Sequence, residues 1–319
     1  MNMTNITVIE NLAITYPQLY LDPDKADIEE YKSCILRGHA PAACSLSHFV
    51  MDEKDSLDNI DTPAGTARVI TLYNRHDFEV FVRCMMATKD GPKAQVPATM
   101  GASTIIAFNW PKINAHKEAF FKEQQAAGVI FPDWGAEFKR FTSVRDNYQD
   151  MLIVLSCGPY SNVSVERVNE LMTVTGHEAL SEEEWKTASG SIRKYHELTH
   201  FVCRRLYPDK IDEIWDELVA DAVGLFGAFG EYSKELEELF LGITDRRYTG
   251  GRLENYTADG VDLNKLADAI DIVLNVFETM IASAKSTDIF DIMITLENSY
   301  DSYHSYLESD KSGSWNLSP

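Results

Sequence analysis

Basic residues and long apolar runs are scarce in this chain of 319 residues. It carries 29 Lys and Arg against 50 Asp and Glu, which gives a formal charge of -21 at pH 7. No apolar run approaches the ~18 residues that a membrane-spanning helix requires. Because a field of this sign repels nucleic acid and anionic lipid, the composition argues against nucleic acid and membranes as partners.

Cysteine is also sparse. The five residues are scattered without any Cys-x-x-Cys pair, at Cys34, Cys44, Cys84, Cys157 and Cys203. An odd number without close spacing is typical of reduced thiols rather than of a disulfide framework. The first 21 residues lack Lys, Arg and a clean apolar core, so they do not resemble a secretion signal. We therefore expect a cytoplasmic protein.

Strand signals are concentrated in the first half of the chain. Residues 68–73, 103–110 and 150–156 are predicted as strands, whereas 77–86 fits either a strand or an amphipathic helix. The unbroken apolar run at 150–156 is typical of an interior strand, which makes the strand before it the better candidate for a sheet edge. The acidic stretch 52–61 is predicted as a surface loop.

The second half of the chain reads as almost entirely helical. Helices are predicted there at 165–171, 181–206, 234–241, 263–284 and 287–306, and another starts near Asp209 and carries Glu217 and Asp221. The first half has predicted helices at 25–36 and 115–127. A chain of this length can form two lobes. We predict an α+β fold with a sheet-bearing N-terminal lobe at 1–165 and a mainly helical lobe at 166–319.

One helix carries the most informative motif, His196-Glu197-Leu198-Thr199-His200. Residues four apart lie on the same face of a helix, so His196 and His200 form a ready pair of imidazole ligands. Glu197 lies beside them, where a carboxylate can take a proton from water activated by a metal. The pattern predicts a hydrolytic zinc site.

Two imidazoles do not complete such a site, which needs a third protein ligand and an open position. One arrangement takes a third His six residues after the second, with a Gly at the turn between them. Leu206 and Cys203 occupy those places here, so the sequence excludes it. Cys203 is interpreted as a small buried hydrophobe. Further on, Glu217 and Asp221 are again four apart on one helix face.

With these residues in place, the chain resembles the thermolysin-like gluzincin metallopeptidases over about residues 181–230. The pentapeptide from His196 to His200 matches the family's motif, and a Glu followed four residues later by an Asp lies in the next helix. Two features differ from the family pattern. Asp216 replaces the Asn that precedes the family's Glu, and the 17 positions from His200 to Glu217 are slightly fewer than usual.

The resemblance implies a role for each residue. His196, His200 and Glu217 would bind zinc, and Glu197 would be the general base that activates water for attack on a carbonyl. Asp221 would accept a hydrogen bond from the ring of a ligand His, with His196 the expected donor. The implied fold is zincin-like, and the family holds extended peptides along an edge strand, here 104–110 or 152–156.

The resulting prediction is a zinc metallopeptidase acting on peptide or protein substrates. Two alternatives remain open: a non-catalytic zincin-fold protein that binds metal or partners, and a carboxylate-bridged di-iron protein, for which only one of two required Glu-x-x-His motifs is present. Tyr248, Tyr256 and His304 follow the metal helices and have suitable chemistry to stabilise an oxyanion.

Overall fold

The computed structural model describes residues 6–86, 91–210 and 212–308. The chain divides into two compact units. The first comprises Met1–Asn59 and Arg68–Ser156, and the second comprises Ile60–Ala67 and Cys157–Pro319. Helices and strands both occur in the described residues, which confirms the α+β class.

The first unit contains most of the strand structure. Its elements in chain order are α1 (Val8–Thr15), α2 (Ile28–Arg37), β1 (Ser56–Thr62), β2 (Gly65–Leu72), α3 (Arg75–Met85), β3 (Ala102–Phe108), α4 (Trp110–Ala126), α5 (Trp134–Phe141) and β4 (Gln149–Ser156), and the turn end of the β1–β2 hairpin belongs to the second unit.

The four strands form one mixed sheet in the order β1-β2-β4-β3. Strand β2 pairs with β4 in parallel, and β3 pairs with β4 antiparallel. The last five residues of β4 are all buried, as its unbroken apolar run predicts for an interior strand. Strand β3 lies at the sheet edge. This confirms the prediction that the strand at 103–110 is the better candidate for an edge.

The apolar spacing at 77–86, which fits two structures, belongs to a helix. Helix α3 is capped by Asn74, whose side chain accepts a hydrogen bond from the backbone of His76. Phe78, Phe81 and Met85 follow the three- and four-residue spacing of a helix face and are buried in the core of this unit.

Two predictions in the first unit were wrong. The acidic stretch predicted as a loop forms β1, whose residues are all at least partly exposed and so carry no apolar alternation. Asn109 caps α4, and Pro111 lies in the first turn of this helix, where proline is favoured. The helix predicted to start at residue 115 therefore begins at Trp110. Helix α5 has no buried residue and gave no core pattern.

The second unit is helical except for one short hairpin. Its elements are α6 (Val165–Val174), α7 (Glu182–Leu206), α8 (Glu213–Phe229), α9 (Lys234–Leu241), β5 (Ile243–Thr244), β6 (Arg247–Tyr248), α10 (Leu263–Ala282), α11 (Ile289–Asn298) and α12 (Tyr300–Glu308). The helix predicted at 287–306 is thus two helices, which separate at Ser299.

The predictions about disulfides and about membrane-spanning helices can be compared with the structure. No disulfide joins the five cysteines, all of which fall among the described residues. In the part of the chain that the structure describes, no helix combines the length and the apolar character needed to cross a bilayer.

Candidate metal centre

Helix α7 carries the two histidines, and its start is fixed by its own sequence. The Ser181 hydroxyl accepts a hydrogen bond from the backbone of Glu184, whose carboxylate accepts one from the backbone N–H of Ser181. This reciprocal capping box is the predicted one. The helix runs for 25 residues and buries both His196 and His200.

Helix α8 packs closely against α7 because glycines replace larger side chains at the contact. A methyl group on Gly224 would lie 2.8 Å from the carbonyl oxygen of Ile192, and one on Gly227 would lie 2.2 Å from the ring of Tyr195. Only hydrogen atoms fit at these two positions. The close approach brings the carboxylates of α8 within reach of the histidines of α7.

Three predicted ligands converge on one point. Nε2 of His196 lies 3.1 Å from Nε2 of His200, and the two oxygens of Glu217 lie 3.4 Å and 3.3 Å from these nitrogens. Zinc bonds of about 2.0–2.2 Å at tetrahedral angles place ligand atoms about 3.3–3.5 Å apart. The three residues therefore fit a tetrahedral metal ion, and among the described residues they are the group of side chains whose ligand atoms are close enough to hold one.

Glu197 occupies the predicted place next to this group. Its side chain is only half buried, unlike the histidines on either side. Its negative charge is close enough to contribute to raising the pKa of His196. A half-buried carboxylate next to the ligand group is what a general base for metal-bound water requires.

Asp221 holds His196 as the resemblance implies. Its Oδ1 lies 2.8 Å from Nδ1 of His196, and its side chain is fully buried. Because an ionised carboxylate only accepts hydrogen bonds, Nδ1 carries the proton and the lone pair of Nε2 is directed to the metal position.

Sequence reasoning missed two residues that complete this arrangement, Tyr160 and Arg252. The Tyr160 hydroxyl donates a hydrogen bond to Oδ1 of Asp221 at 2.6 Å and lies 3.1 Å from Nδ1 of His196. Arg252 donates from Nη1 to the Tyr160 hydroxyl at 2.9 Å and from Nη2 to the other oxygen of Asp221. The guanidinium therefore neutralises a carboxylate that would otherwise be buried without a cation.

Tyr160 is positioned by helix α7 itself. The hydroxyl of Ser189 accepts a hydrogen bond from the Tyr160 backbone at 2.9 Å. The guanidinium of Arg193 donates to the carbonyls of Gly158 and Pro159 at 2.5 Å and 2.6 Å. The segment that follows β4 is thus fastened to the turns of α7 that precede His196.

Arg252 is positioned by contact between two glycine turns. Gly242 ends α9 in a left-handed conformation with φ of 80°. A methyl group there would lie 2.4 Å from the backbone of Gly250, and one on Gly251 would lie 2.6 Å from Gly242. The sequence shows a pair of glycines, Gly250 and Gly251, directly before Arg252. Their role becomes clear only in the structure, where their turn contacts Gly242.

The charges of the group depend on one another. Burial raises the pKa of Glu217, but His196 and His200 outweigh it and lower that pKa to about 2. Burial also raises the pKa of Asp221, and Arg252 and His196 outweigh it and bring the pKa below its usual range. Burial lowers the pKa of His196, and the carboxylates raise it further than burial lowers it. Both acids are therefore ionised at neutral pH.

The remaining candidates are separated by position. Tyr256 lies near the site, where burial raises its pKa and the charge of Glu217 raises it further, whereas the Tyr248 hydroxyl donates a hydrogen bond to the carbonyl of Gly251. The side chain of His304 lies outside the described residues. Cys203 is buried on α7 and does not belong to the ligand group, which agrees with its interpretation as a small hydrophobe. Half-buried Asp216 is also outside the group, and burial raises its pKa to about 6.

A buried acid, Glu237, lies close enough to Asp221 to be affected by its charge. Glu237 on α9 is fully buried, and neither of its oxygens makes a hydrogen bond of ordinary geometry within the described ranges. Burial and the charge of Asp221 raise its pKa well above the usual range. Glu237 is therefore protonated in the folded chain at a pH where the unfolded chain has lost that proton.

Glu237→Gln is expected to stabilise the protein increasingly as pH rises. Because the folded pKa is raised, the stabilisation from the bound proton is complete below the ordinary pKa of about 4.3 and is lost as pH increases towards the folded value. The amide carries no such dependence, so its advantage over the wild type should grow by up to about 1.4 kcal/mol per pH unit.

Urea unfolding at about pH 5 and about pH 8 measures this difference. Glu235→Gln on the same helix is the matched control, because Glu235 is exposed and should give equal differences at both pH values. A Glu237→Gln advantage that is constant or shrinks with pH would contradict the assignment of a protonated acid.

Comparison with known proteins gives one family. Residues 4–295 match the model of a family of unknown function, DUF7005, and the chain belongs to that family. No curated protein and no solved structure matches the chain.

Proposed function

We propose that this protein is a zinc-dependent metallopeptidase of the gluzincin type. The observation that carries the proposal is the convergence of His196, His200 and Glu217 at 3.1–3.4 Å, with Glu197 next to His196 on the same helix. A mixed sheet in one unit and helix-borne ligands in the other support a zincin-like fold for the α+β chain.

The donor set favours zinc over other metals. Two imidazole nitrogens and one carboxylate at tetrahedral spacing are the ligands of a hydrolytic zinc ion. A di-iron centre needs several bridging carboxylates and a second Glu-x-x-His motif. Within the described residues the ligand group contains a single carboxylate, that of Glu217. The di-iron alternative is therefore not favoured.

The chain's own residues account for the remaining chemistry. Zinc, when bound, would polarise a peptide carbonyl and supply a water nucleophile at neutral pH. Glu197 would take the proton of that water and pass it to the leaving amine. Tyr256, beside Glu217, would donate a hydrogen bond to the carbonyl oxygen as it gains charge. Asp221, Tyr160 and Arg252 would keep His196 in the tautomer that binds metal.

The proposed substrate is a peptide or a protein in the cytoplasm. The formal charge of -21 disfavours nucleic acid and anionic membranes, and the cysteines form no disulfide. Nothing in the site indicates a preference for a particular side chain, so an unbiased mixture of peptides is the appropriate assay.

Chelation and reconstitution test the proposal. The purified chain should contain about one zinc ion and hydrolyse a mixed peptide library near neutral pH, because the residues that the structure describes include a single such group of ligands. Removal of zinc by a chelator should abolish hydrolysis, and one equivalent of zinc should restore it. A zinc-loaded chain that cleaves no peptide would contradict the peptidase and favour the non-catalytic binding protein.

A further inference from the structure

A helical hairpin in the first unit is not accounted for by the metal centre. It comprises α4, α5 and the residues 127–133 that connect them, and we call it the aromatic hairpin. Helix α4 has 17 residues and buries only Ile113, and α5 buries none. The hairpin therefore receives little stabilisation from the core of its own unit.

Aromatic side chains hold the two helices together. The ring of Trp134 on α5 lies 6.2 Å from that of Phe121 on α4 and 5.6 Å from that of Phe138. His116 stacks on Phe141 at 4.0 Å, with the rings nearly parallel. These contacts make the hairpin a structural element of its own, with an aromatic face that remains partly exposed.

The tip of the hairpin exposes large apolar side chains. Ile130 is 82% exposed and Phe131 is 90% exposed. Val129, which precedes them in the chain, and Phe121 and Phe138 on the two helices are exposed as well. Isolated apolar residues are normal on a protein surface, but a contiguous apolar patch marks an interaction site. We therefore interpret this patch as a surface that another molecule covers.

Charge indicates which occupant. The hairpin, residues 110–141, carries five Lys and Arg against four Asp and Glu, or +1, which leaves -22 on the remainder of the chain. Two copies repel each other through the acidic remainder of their surface, whereas two nearly neutral hairpins repel each other only weakly. The net charge of -21 on the whole chain disfavours an anionic membrane or a nucleic acid as the occupant.

We propose that the aromatic hairpin is a dimerisation surface that binds the hairpin of a second copy of this chain. A two-fold arrangement places the same patch on both sides, so each exposed tip is covered by the other copy. Helix α4 is about 25 Å long and the hairpin is about 20 Å wide. A face of that size is on the scale of the ~800 Å² per partner that stable interfaces bury.

The mass of the full-length chain in solution tests this surface. Sedimentation velocity at about 50 μM should give twice the monomer mass of 36.0 kDa. The double variant Ile130→Asp with Phe131→Asp should sediment as a monomer, with dimer affinity at least about 100-fold weaker, because two apolar side chains per copy lose their burial. Both residues are exposed in the single chain, so the melting temperature of the monomer should be unchanged.

Val174→Asp is the matched control. Val174 on α6 is 84% exposed and lies outside the hairpin, so this variant should remain dimeric. A monomeric wild type, or a dimer that survives the double substitution, would overturn the proposal. Flotation of a monomeric wild type with phosphatidylcholine vesicles, lost in the double variant, would overturn it as well and assign the patch to a membrane.

Discussion

Glu197→Gln is expected to lower peptide hydrolysis by about 10²- to 10⁴-fold while leaving zinc bound, because a positioned general base contributes about that much. The amide has nearly the same shape as the carboxylate but cannot accept a proton. The zinc content should be unchanged, since Glu197 is not part of the converging ligand group. Initial rates on the peptide library and elemental analysis of the same sample measure both effects.

Glu183→Gln is the matched control for this substitution. Glu183 lies on the same helix, near its start, and its side chain is exposed. Its replacement should change neither rate nor zinc content. A Glu197→Gln protein as active as the wild type would refute the role given to Glu197 and would point to another site or to a contaminating peptidase.

Loss of any one of the three ligands is expected to remove zinc. His196→Ala, His200→Ala and Glu217→Ala should each leave two protein ligands, and hydrolysis should fall with the zinc content. Asp221→Asn should weaken zinc binding less, by about 10- to 100-fold, because Asp221 acts on the metal only by holding His196. Competition against a chelator of known affinity gives the zinc dissociation constant of each variant.

The acidic residues near Glu217 provide the control for this series. Glu213→Ala replaces an exposed carboxylate in the first turn of α8 and should retain full zinc affinity. If Glu217→Ala bound zinc as tightly as the wild type while Asp216→Ala did not, the third ligand would have been assigned to the wrong carboxylate.

The candidate ligands could be predicted because their geometry is local. His196 and His200 are four residues apart on one helix, and so are Glu217 and Asp221, so the helix itself places each pair on one face. The capping box at Ser181 indicated where α7, the helix with the two histidines, begins. Only the meeting of α7 and α8 had to be assumed, and Gly224 and Gly227 are what permit it.

Tyr160 and Arg252 could not be predicted in the same way. Tyr160 is 36 positions from His196, and Arg252 is 31 positions from Asp221 and 92 from Tyr160. No helical or strand periodicity relates residues at these separations. A buried carboxylate at Asp221 implies a cation, but only the folded chain shows that Arg252 supplies it.

The elements that the sequence did not predict, β1 and α5, were missed for a similar reason. Strand β1 has exposed and polar residues along both faces, so it lacks the alternation by which strands are recognised. Helix α5 contributes nothing to the core, and its aromatic residues pack on those of α4 instead. Both elements are specified by neighbours that the sequence pattern does not reveal.

X-ray diffraction at the zinc absorption edge tests whether His196, His200 and Glu217 hold a zinc ion. Crystals of the purified chain should show one anomalous peak per chain, about 2.0–2.2 Å from Nε2 of His196, Nε2 of His200 and a carboxylate oxygen of Glu217. The position facing Glu197 should be open to water. A zinc peak bound by other residues, two peaks of iron at this place, or no anomalous peak in zinc-supplemented crystals would contradict the account.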